Sequence, residues 1–392
     1  MDFDFTEAEE AFGKQIRDFL RQELPPDDIL ESLDVLGDEG WQFARQLART
    51  LAKHGWLGIA WPKEYGGQGR SFMEQLIFNE ETAYARVPRG PYWFAIDRVG
   101  PTIIRYGTEE QKQRHLRPII AGEVCWCQGF TEPNAGSDLA SLQCRAVEDG
   151  DDFVVNGQKT WTSYGSRADW CILLVRTDPD APKHRGISYL LLDMKTPGIT
   201  QRPLIDMLGG HHASQVFLDN VRVPKANLVG EKNMGWYVTT ATLDFERSGI
   251  HYSAEARHIF EELVEYVKET RRNGKPLAKD PIIRNKLAAM AIEIELSRLI
   301  GYRIAWMQSM GLVPNNEASM GKLFGTEMWQ RLANTGMQIL GLSSQLKKDS
   351  KWAPLMGRIG RFYLNSVAGT IYIGSSEIQR NIIATRGLGL PR

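Results

Sequence analysis

Nowhere in this 392-residue chain do about 18 consecutive apolar residues occur, so no transmembrane helix is expected. The opening residues Met1-Asp2-Phe3-Asp4-Phe5 lack the basic and apolar stretches of an export signal, which makes the cytoplasm the expected location. Runs of like charge are missing and the net charge is −1, so there is no basic face of the kind a nucleic-acid partner needs. An anionic ligand would have to meet local donors instead of a general positive field. Cysteine is scarce: Cys125, Cys127, Cys144 and Cys171 are the four. They have no second pair at metal-site spacing and no histidine companions, which leaves buried reduced thiols and no metal centre. Cys125 and Cys127 alternate on an apparent strand and are expected on one face. No internal repeat and no low-complexity linker breaks the chain.

What is there reads as three textures. Hydrophobic content of 42% and charged content of 24% are those of a globular protein, and the length calls for two or three domains. Thr6-x-x-Glu9 is a capping-box signal, followed by Phe12, Ile16, Phe19 and Leu20 at helical spacing. A second stripe runs Trp41, Ala44, Leu47, Leu51 and stops at Gly55. Thr108-x-x-Gln111 opens another helix that ends near Gly122. From about Glu123, short β-rich runs (Phe153 to Val155, Trp170 to Val175, Ile187 to Leu192) alternate with turn clusters, the pattern of a small barrel or sandwich. After about Met234 the helical period returns. Leu287, Met290, Ile294 and Ile304 mark one long helix; Phe324, Met328, Leu332 and Met337 mark another, suggesting a bundle. The expected division is 1–122 helical, 123–234 β and 235–392 helical.

The richest stretch is Phe130-Thr131-Glu132-Pro133-Asn134-Ala135-Gly136-Ser137-Asp138, a strand opening into a tight loop that offers backbone N–H groups and two hydroxyls. That suits a flat polar ring carrying a phosphate chain, although an ordinary Asx- or Ser-capped turn has the same composition. Three further segments accompany it: Gly157-Gln158-Lys159-Thr160-Trp161-Thr162-Ser163, Val223-Pro224-Lys225-Ala226-Asn227-Leu228-Val229-Gly230, and Ile371-Tyr372-Ile373-Gly374-Ser375-Ser376-Glu377-Ile378-Gln379-Arg380-Asn381. In this order and spacing, over nearly the whole chain, they resemble the acyl-CoA dehydrogenase family of flavoenzymes.

The resemblance implies a helical N-terminal domain, a β middle domain and a C-terminal four-helix bundle, with FAD bound between the last two. It implies that Gln128, Phe130 and Thr131 line the flavin ring, that Gly136 and Ser137 reach its phosphates and the substrate, and that Trp161 packs beside it. Ser163 stands where the family usually has threonine and keeps the hydroxyl donor. Gln338 and Gly341 match a segment that serves the adenosine half in a neighbouring subunit, and Ser375 and Glu377 match residues near adenosine and pyrophosphate. One departure concerns the arginine that holds the pyrophosphate from across the dimer. The usual Arg-x-x-Phe-Gly segment is Thr270-Arg271-Arg272-Asn273-Gly274 here, which leaves Arg272, Arg271 or Arg284 for that task. Solvated helix surface is the plain alternative for each.

Oxidation of an acyl thioester needs a carboxylate to remove the α proton. In many relatives it lies between the tyrosine and glycine of the C-terminal motif, where this chain has Ile373. Other relatives carry it directly before an arginine on a helix of the bundle, and Leu243-Asp244-Phe245-Glu246-Arg247 matches that place. Glu246 is the candidate base, with Asp244, Arg247, Tyr372, Ile373 and Gly374 at the substrate; Glu377 is a weaker rival. A surface Glu–Arg pair is the bland reading of Glu246. The backbone N–H of Ile373 still serves to polarise the thioester carbonyl, whatever its side chain. The implied activity is FAD-dependent dehydrogenation of an acyl-CoA to a trans-2-enoyl-CoA, with electrons passed to an electron-transfer flavoprotein, in a homotetramer or a heterotetramer with a related subunit. A flavin oxidase or monooxygenase on the same fold, or a subunit of a heteromeric dehydrogenase, are the alternatives.

Overall fold

The computed structural model describes residues 5–33, 37–88, 90–243 and 248–391. Helices come first: α1 (Glu7–Glu23), α2 (Asp27–Ser32), α3 (Asp38–Lys53), α4 (Phe72–Tyr84), α5 (Gly90–Phe94), α6 (Gly100–Tyr106) and α7 (Glu109–Ile120). Strands follow: β1 (Trp126–Gly129), β2 (Arg145–Asp149), β3 (Asp152–Ser163), β4 (Trp170–Arg176), β5 (Ile187–Asp193), β6 (Ile199–Leu204), β7 (Ala213–Pro224) and β8 (Leu228–Val229). Then come α8 (Gly235–Leu243), α9 (Ile250–Glu269), the hairpin β9 (Arg271–Arg272) and β10 (Lys275–Pro276), α10 (Pro281–Ser309), α11 (Asn315–Leu340), α12 (Arg358–Gly369) and α13 (Ser376–Ile382). The helix–β–helix order matches the reading of the sequence. Contacts divide the chain into two compact units: Met1–Leu30, Ser71–Val87 and Arg247–Arg392 form one, Glu31–Arg70 and Pro88–Glu246 the other.

In the helical unit the expected cap at Thr6 is formed. Thr6 accepts from the Glu9 N–H while Glu9 accepts from the Thr6 N–H, and Ser71 and Glu74 repeat the arrangement at α4. Such a box satisfies N–H groups that a helix start leaves without partners. The core gathers Tyr252, Leu263, Ile294, Met328, Leu332 and Ile359. Helices α9 and α11 pack tightly at Gly325, where an added Cβ would lie 2.8 Å from Tyr252; the absence of a side chain is what permits the approach. Four residues on, Trp329 Nε1 donates to the Tyr252 carbonyl at 2.7 Å. The buried Glu80 carboxylate of α4 accepts from Arg298 Nε and Tyr302 Oη of α10, both at 2.7 Å, so its charge is paired where water is absent.

The other unit is built on one sheet of order β6-β7-β3-β2-β4-β5-β8, with β1 parallel to β4. Residues Cys171–Val175 of β4 and Ile187–Leu192 of β5 are all buried, the mark of strands covered on both faces. Cys127, Val155, Leu173, Leu190, Leu218 and Val221 share the sheet core. All four thiols are free and buried. Cys125 departs from the expected alternation: it precedes β1, its N–H donates to Asp169, and Tyr92 neighbours its thiol, whereas Cys127 meets Cys171 in the core.

His115 of α7 lies edge-on to Trp126 and Trp170, with ring centroids 5.3 and 4.7 Å away. Burial, and then the nearby Arg114, push its pKa down from 6.5 to about 4. The unfolded chain therefore binds a proton near pH 6.5 that the folded chain refuses, and stability is lost as pH falls through that window. At 1.36 kcal/mol per pH unit, this group should remove about 2 kcal/mol between pH 7 and pH 5. Urea unfolding of the wild type and of His115→Phe at both pH values checks this; equal losses in the two proteins would refute it.

Candidate functional site

The two ring-lining motifs meet in the sheet unit. β1 ends at Gly129, and the chain then turns so tightly that Glu132 and Ala135 exchange both backbone hydrogen bonds, each 3.1 Å. The turn is held from beneath by Lys159 of β3, whose ammonium donates to Glu132 Oε1 at 2.7 Å and to the Phe130 carbonyl at 3.1 Å. The Lys159 side chain is 0% exposed and that of Glu132 9%. The carboxylate also accepts from the N–H groups of Gln143 at 2.7 Å and Cys144 at 2.8 Å. The next residue along, Thr160, donates its N–H to the Thr131 carbonyl at 2.9 Å. Thr131 and Trp161 are thereby brought to one place.

The sheet register slips between Lys159 and Thr162, and in that bulge Trp161 takes φ +57° with 64% of its surface exposed. A bulky residue in the left-handed region is strained, and bulges re-aim side chains at functional edges. Phe130 is buried against Tyr189, Thr131 and Gln128 are half-buried, and Ser163 at the end of β3 is exposed. Gly136 and Ser137 are exposed as well, and a Cβ added at Gly136 would meet nothing within 4 Å. An exposed indole, open hydroxyls and an unfilled glycine turn are the donor set and shape that a flavin ring with a phosphate tail fits.

In the helical unit, Tyr372-Ile373-Gly374 forms the turn before α13. Ile373 has φ +54°, an outlier for a β-branched residue, and Gln379 Nε2 donates to its carbonyl at 2.9 Å. Ser375 caps α13, accepting from the Ile378 N–H. Glu377 lies in the first turn, where its own backbone N–H and the Ser375 hydroxyl hold its carboxyl below the usual range. A carboxylate so stabilised is a weak proton acceptor. Ser375, Glu377 and Arg380 join Arg331, Tyr363 and Thr370 around a cavity of about 790 Å³. Arg272 Nη2 donates to the Ile339 carbonyl at 2.6 Å, beside Gln338 and close to Gly341. Arg271 and Arg284 instead reach the carbonyls of Gly274 and Ala278. Asp244, Glu246 and Arg247 lie outside the described residues.

Two side chains in these surroundings went unnoticed in the sequence. Lys159 sits inside a quoted motif, but nothing local reveals that its partner is 27 residues away. Lys322 of α11 is buried 6.0 Å from the Tyr372 ring, and burial lowers its pKa to about 8.

Comparison with known proteins now bears on these features. The acyl-CoA dehydrogenase N-terminal, middle and C-terminal domains match residues 6–123, 127–221 and 233–388 in turn. The chain belongs to the acyl-CoA dehydrogenase family. It is an oxidoreductase of that family, whose members are flavin-dependent and generally use FAD. Acyl-CoA dehydrogenase FadE26 of Mycobacterium tuberculosis is 38% identical over 401 residues, spanning 100% of this chain and 99% of that protein. Among solved structures, the ChsE4-ChsE5 complex from Mycobacterium tuberculosis is similar with a TM-score of 0.91 at 38% identity, with 100% of both chains covered. The Tcur3481-Tcur3483 steroid ACAD gives 0.90 at 35% identity, again with 100% of both chains covered. The dehydrogenase therefore has the helical, β-sheet and helical domain sequence of its family.

Lys159→Met tests the pair that joins the two motifs. It would leave the Glu132 carboxylate buried without its cation, and breaking a buried pair in this way costs about 3–5 kcal/mol. Denaturant unfolding should show that loss, with a smaller one in Lys159→Met combined with Glu132→Gln. A single variant as stable as wild type would mean the pair does not hold the turn.

Proposed function

We propose that this chain binds FAD and oxidises an acyl-CoA thioester to its trans-2-enoyl-CoA, passing electrons to an electron-transfer flavoprotein. The observation that carries the reading is the exposed, strained Trp161 held beside Thr131 by the Lys159–Glu132 pair. Gln128, Phe130, Thr131, Gly136, Ser137, Trp161 and Ser163 would hold the ring and its phosphate tail, and Ser375, Glu377, Gln338, Gly341 and Arg272 the adenosine and pyrophosphate. The anchoring of Arg272 beside Gln338 favours it over Arg271 and Arg284 for the latter task. Bound FAD would supply the acceptor for hydride from the β carbon. The chain's own part is to lower the cost of removing the α proton. The Ile373 N–H polarises the thioester carbonyl, and Glu246 accepts the proton, flanked by Asp244 and Arg247 at the substrate wall. Tyr372 and Gly374 complete the turn against the acyl group. The functional division is 1–122, 123–234 and 235–392.

The dehydrogenase assembles with a second copy or with a related subunit. Ile292, Leu296 and Trp306 of α10, with Met310 at its C-terminal cap, leave exposed apolar surface, which supports a helix-to-helix contact. The two-component character of the ChsE4-ChsE5 and Tcur3481-Tcur3483 structures favours a heteromeric partner, and the steroid ACAD favours a bulky alicyclic acyl group.

The purified protein should be yellow, with about one FAD per subunit, as the paired flavin-wall motifs require. Protein that stays colourless after reconstitution with excess FAD would refute the reading. Glu246→Gln should keep its FAD and bind acyl-CoA, yet reduce flavin anaerobically about 10²–10⁴-fold more slowly. Near-normal reduction would place the base elsewhere, with Glu377 the next to test.

A further inference from the structure

Gln128, assigned above to the ring wall, has its side-chain oxygen already committed. Arg98 Nη1 donates to Gln128 Oε1 over 3.1 Å. A guanidinium offers five N–H donors and accepts nothing, so only the oxygen end of the amide can face it. The chemistry of the partner decides which end of Gln128 is which, and the NH2 group points away from Arg98.

Arg98 is itself held with care. It belongs to the π-helical turn Ala95–Val99 between α5 and α6, and such turns are rare and frequently mark functional sites. Its guanidinium lies 5.2 Å from the centre of the Phe94 ring, and its backbone carbonyl accepts from Thr102 Oγ1 at 2.7 Å. Only 9% of the residue is exposed. Burying a guanidinium costs free energy that a methionine at the same place would not. The proposed flavin chemistry does not yet use this cation.

We propose that Arg98 is a positioning residue for the flavin wall: by taking the Gln128 carbonyl oxygen, it presents the Gln128 NH2 group as a hydrogen-bond donor to the polar edge of the flavin. The inference rests on the FAD reading above and adds to it the residue that sets the polarity of one wall contact. A donor at that edge stabilises the negative charge that gathers there on reduction, so it strengthens FAD binding and raises the flavin's midpoint potential. With Arg98 removed, the amide is free to turn its oxygen inward, and the contact becomes repulsive for part of the time.

The test compares four holoenzymes: wild type, Arg98→Met, Gln128→Leu and the double variant. FAD affinity is read from flavin fluorescence on dilution, and midpoint potential from equilibration with a reference dye. Each single variant should loosen FAD by about three- to tenfold, the worth of one hydrogen bond, and lower the potential. The double variant should be no worse than Gln128→Leu alone, because Arg98 acts through Gln128. Arg98→Lys, which keeps charge and a donor, should recover part of the loss. Unchanged FAD affinity and potential in Arg98→Met, or losses that add in the double variant, would overturn the proposal. If Arg98→Met does not fold, Arg98→Lys completes the same cycle, and additive losses there overturn it equally. A wild-type protein that holds no FAD overturns the flavin reading and this inference with it. FAD-replete wild type with an indifferent Arg98 overturns this inference alone.

Discussion

The ion pair between Lys159 and Glu132 is the contact on which the candidate ring wall depends. Two opposite charges are removed from water, and each is surrounded by enough partners to make that tolerable: a carbonyl for the ammonium, two backbone N–H groups for the carboxylate. Because the partners come from β3, the turn after β1 and the segment leading into β2, the pair fixes three pieces of chain at once. The turn can then close on itself between Glu132 and Ala135, and the bulge that re-aims Trp161 begins directly after Lys159. A satisfied buried network of this kind favours one arrangement over its neighbours more than it adds raw stability.

Strained backbone occurs at both candidate motifs, as it does at other places such as Arg86, Leu355 and Met356. Trp161 and Tyr164 follow Lys159 with φ of +57° and +58°, and Ile373 has φ +54° before α13. None is glycine, so each conformation persists only because the surroundings over-determine it. At Ile373 the constraint comes partly from Gln379, which grips the carbonyls of both Ile373 and Gly374. The turn thus keeps its backbone geometry although its side chain carries no acid. On the proposed reading this separates the two tasks of the motif: the N–H that would polarise a carbonyl belongs to the turn, while the base would come from another segment.

Family membership fits both levels of this picture. An identity of 38% to FadE26 over essentially its whole length, and a TM-score of 0.91 to the ChsE4-ChsE5 complex, agree with the helix, strand and helix order of the chain. Identity at that level leaves room for local substitutions such as Ser163 for threonine, which keeps a hydroxyl, and Arg271-Arg272 for the usual spacing, where the hairpin β9–β10 brings Arg272 to the end of α11.

By itself the sequence determined what is local. The capping boxes at Thr6 and Thr108, the order of helix, strand and helix, and the break in the chain after Phe130 all depend on neighbours within a few residues, where spacing is informative. It also carried the motif match, since that needs only residue types in order. Tertiary structure decided which distant groups meet. Gln111 closes a capping box legible from four residues, yet its amide NH2 ties α7 to the carbonyls of Ala226 and Leu228, the latter 117 positions away. Lys159 finds Glu132 at a separation of 27 residues, and Arg98 finds Gln128 at 30. Burial makes these pairings strong, because a polar group out of reach of water must find its partner within the protein. Burial is a property of the folded chain and cannot be read from the order of its residues.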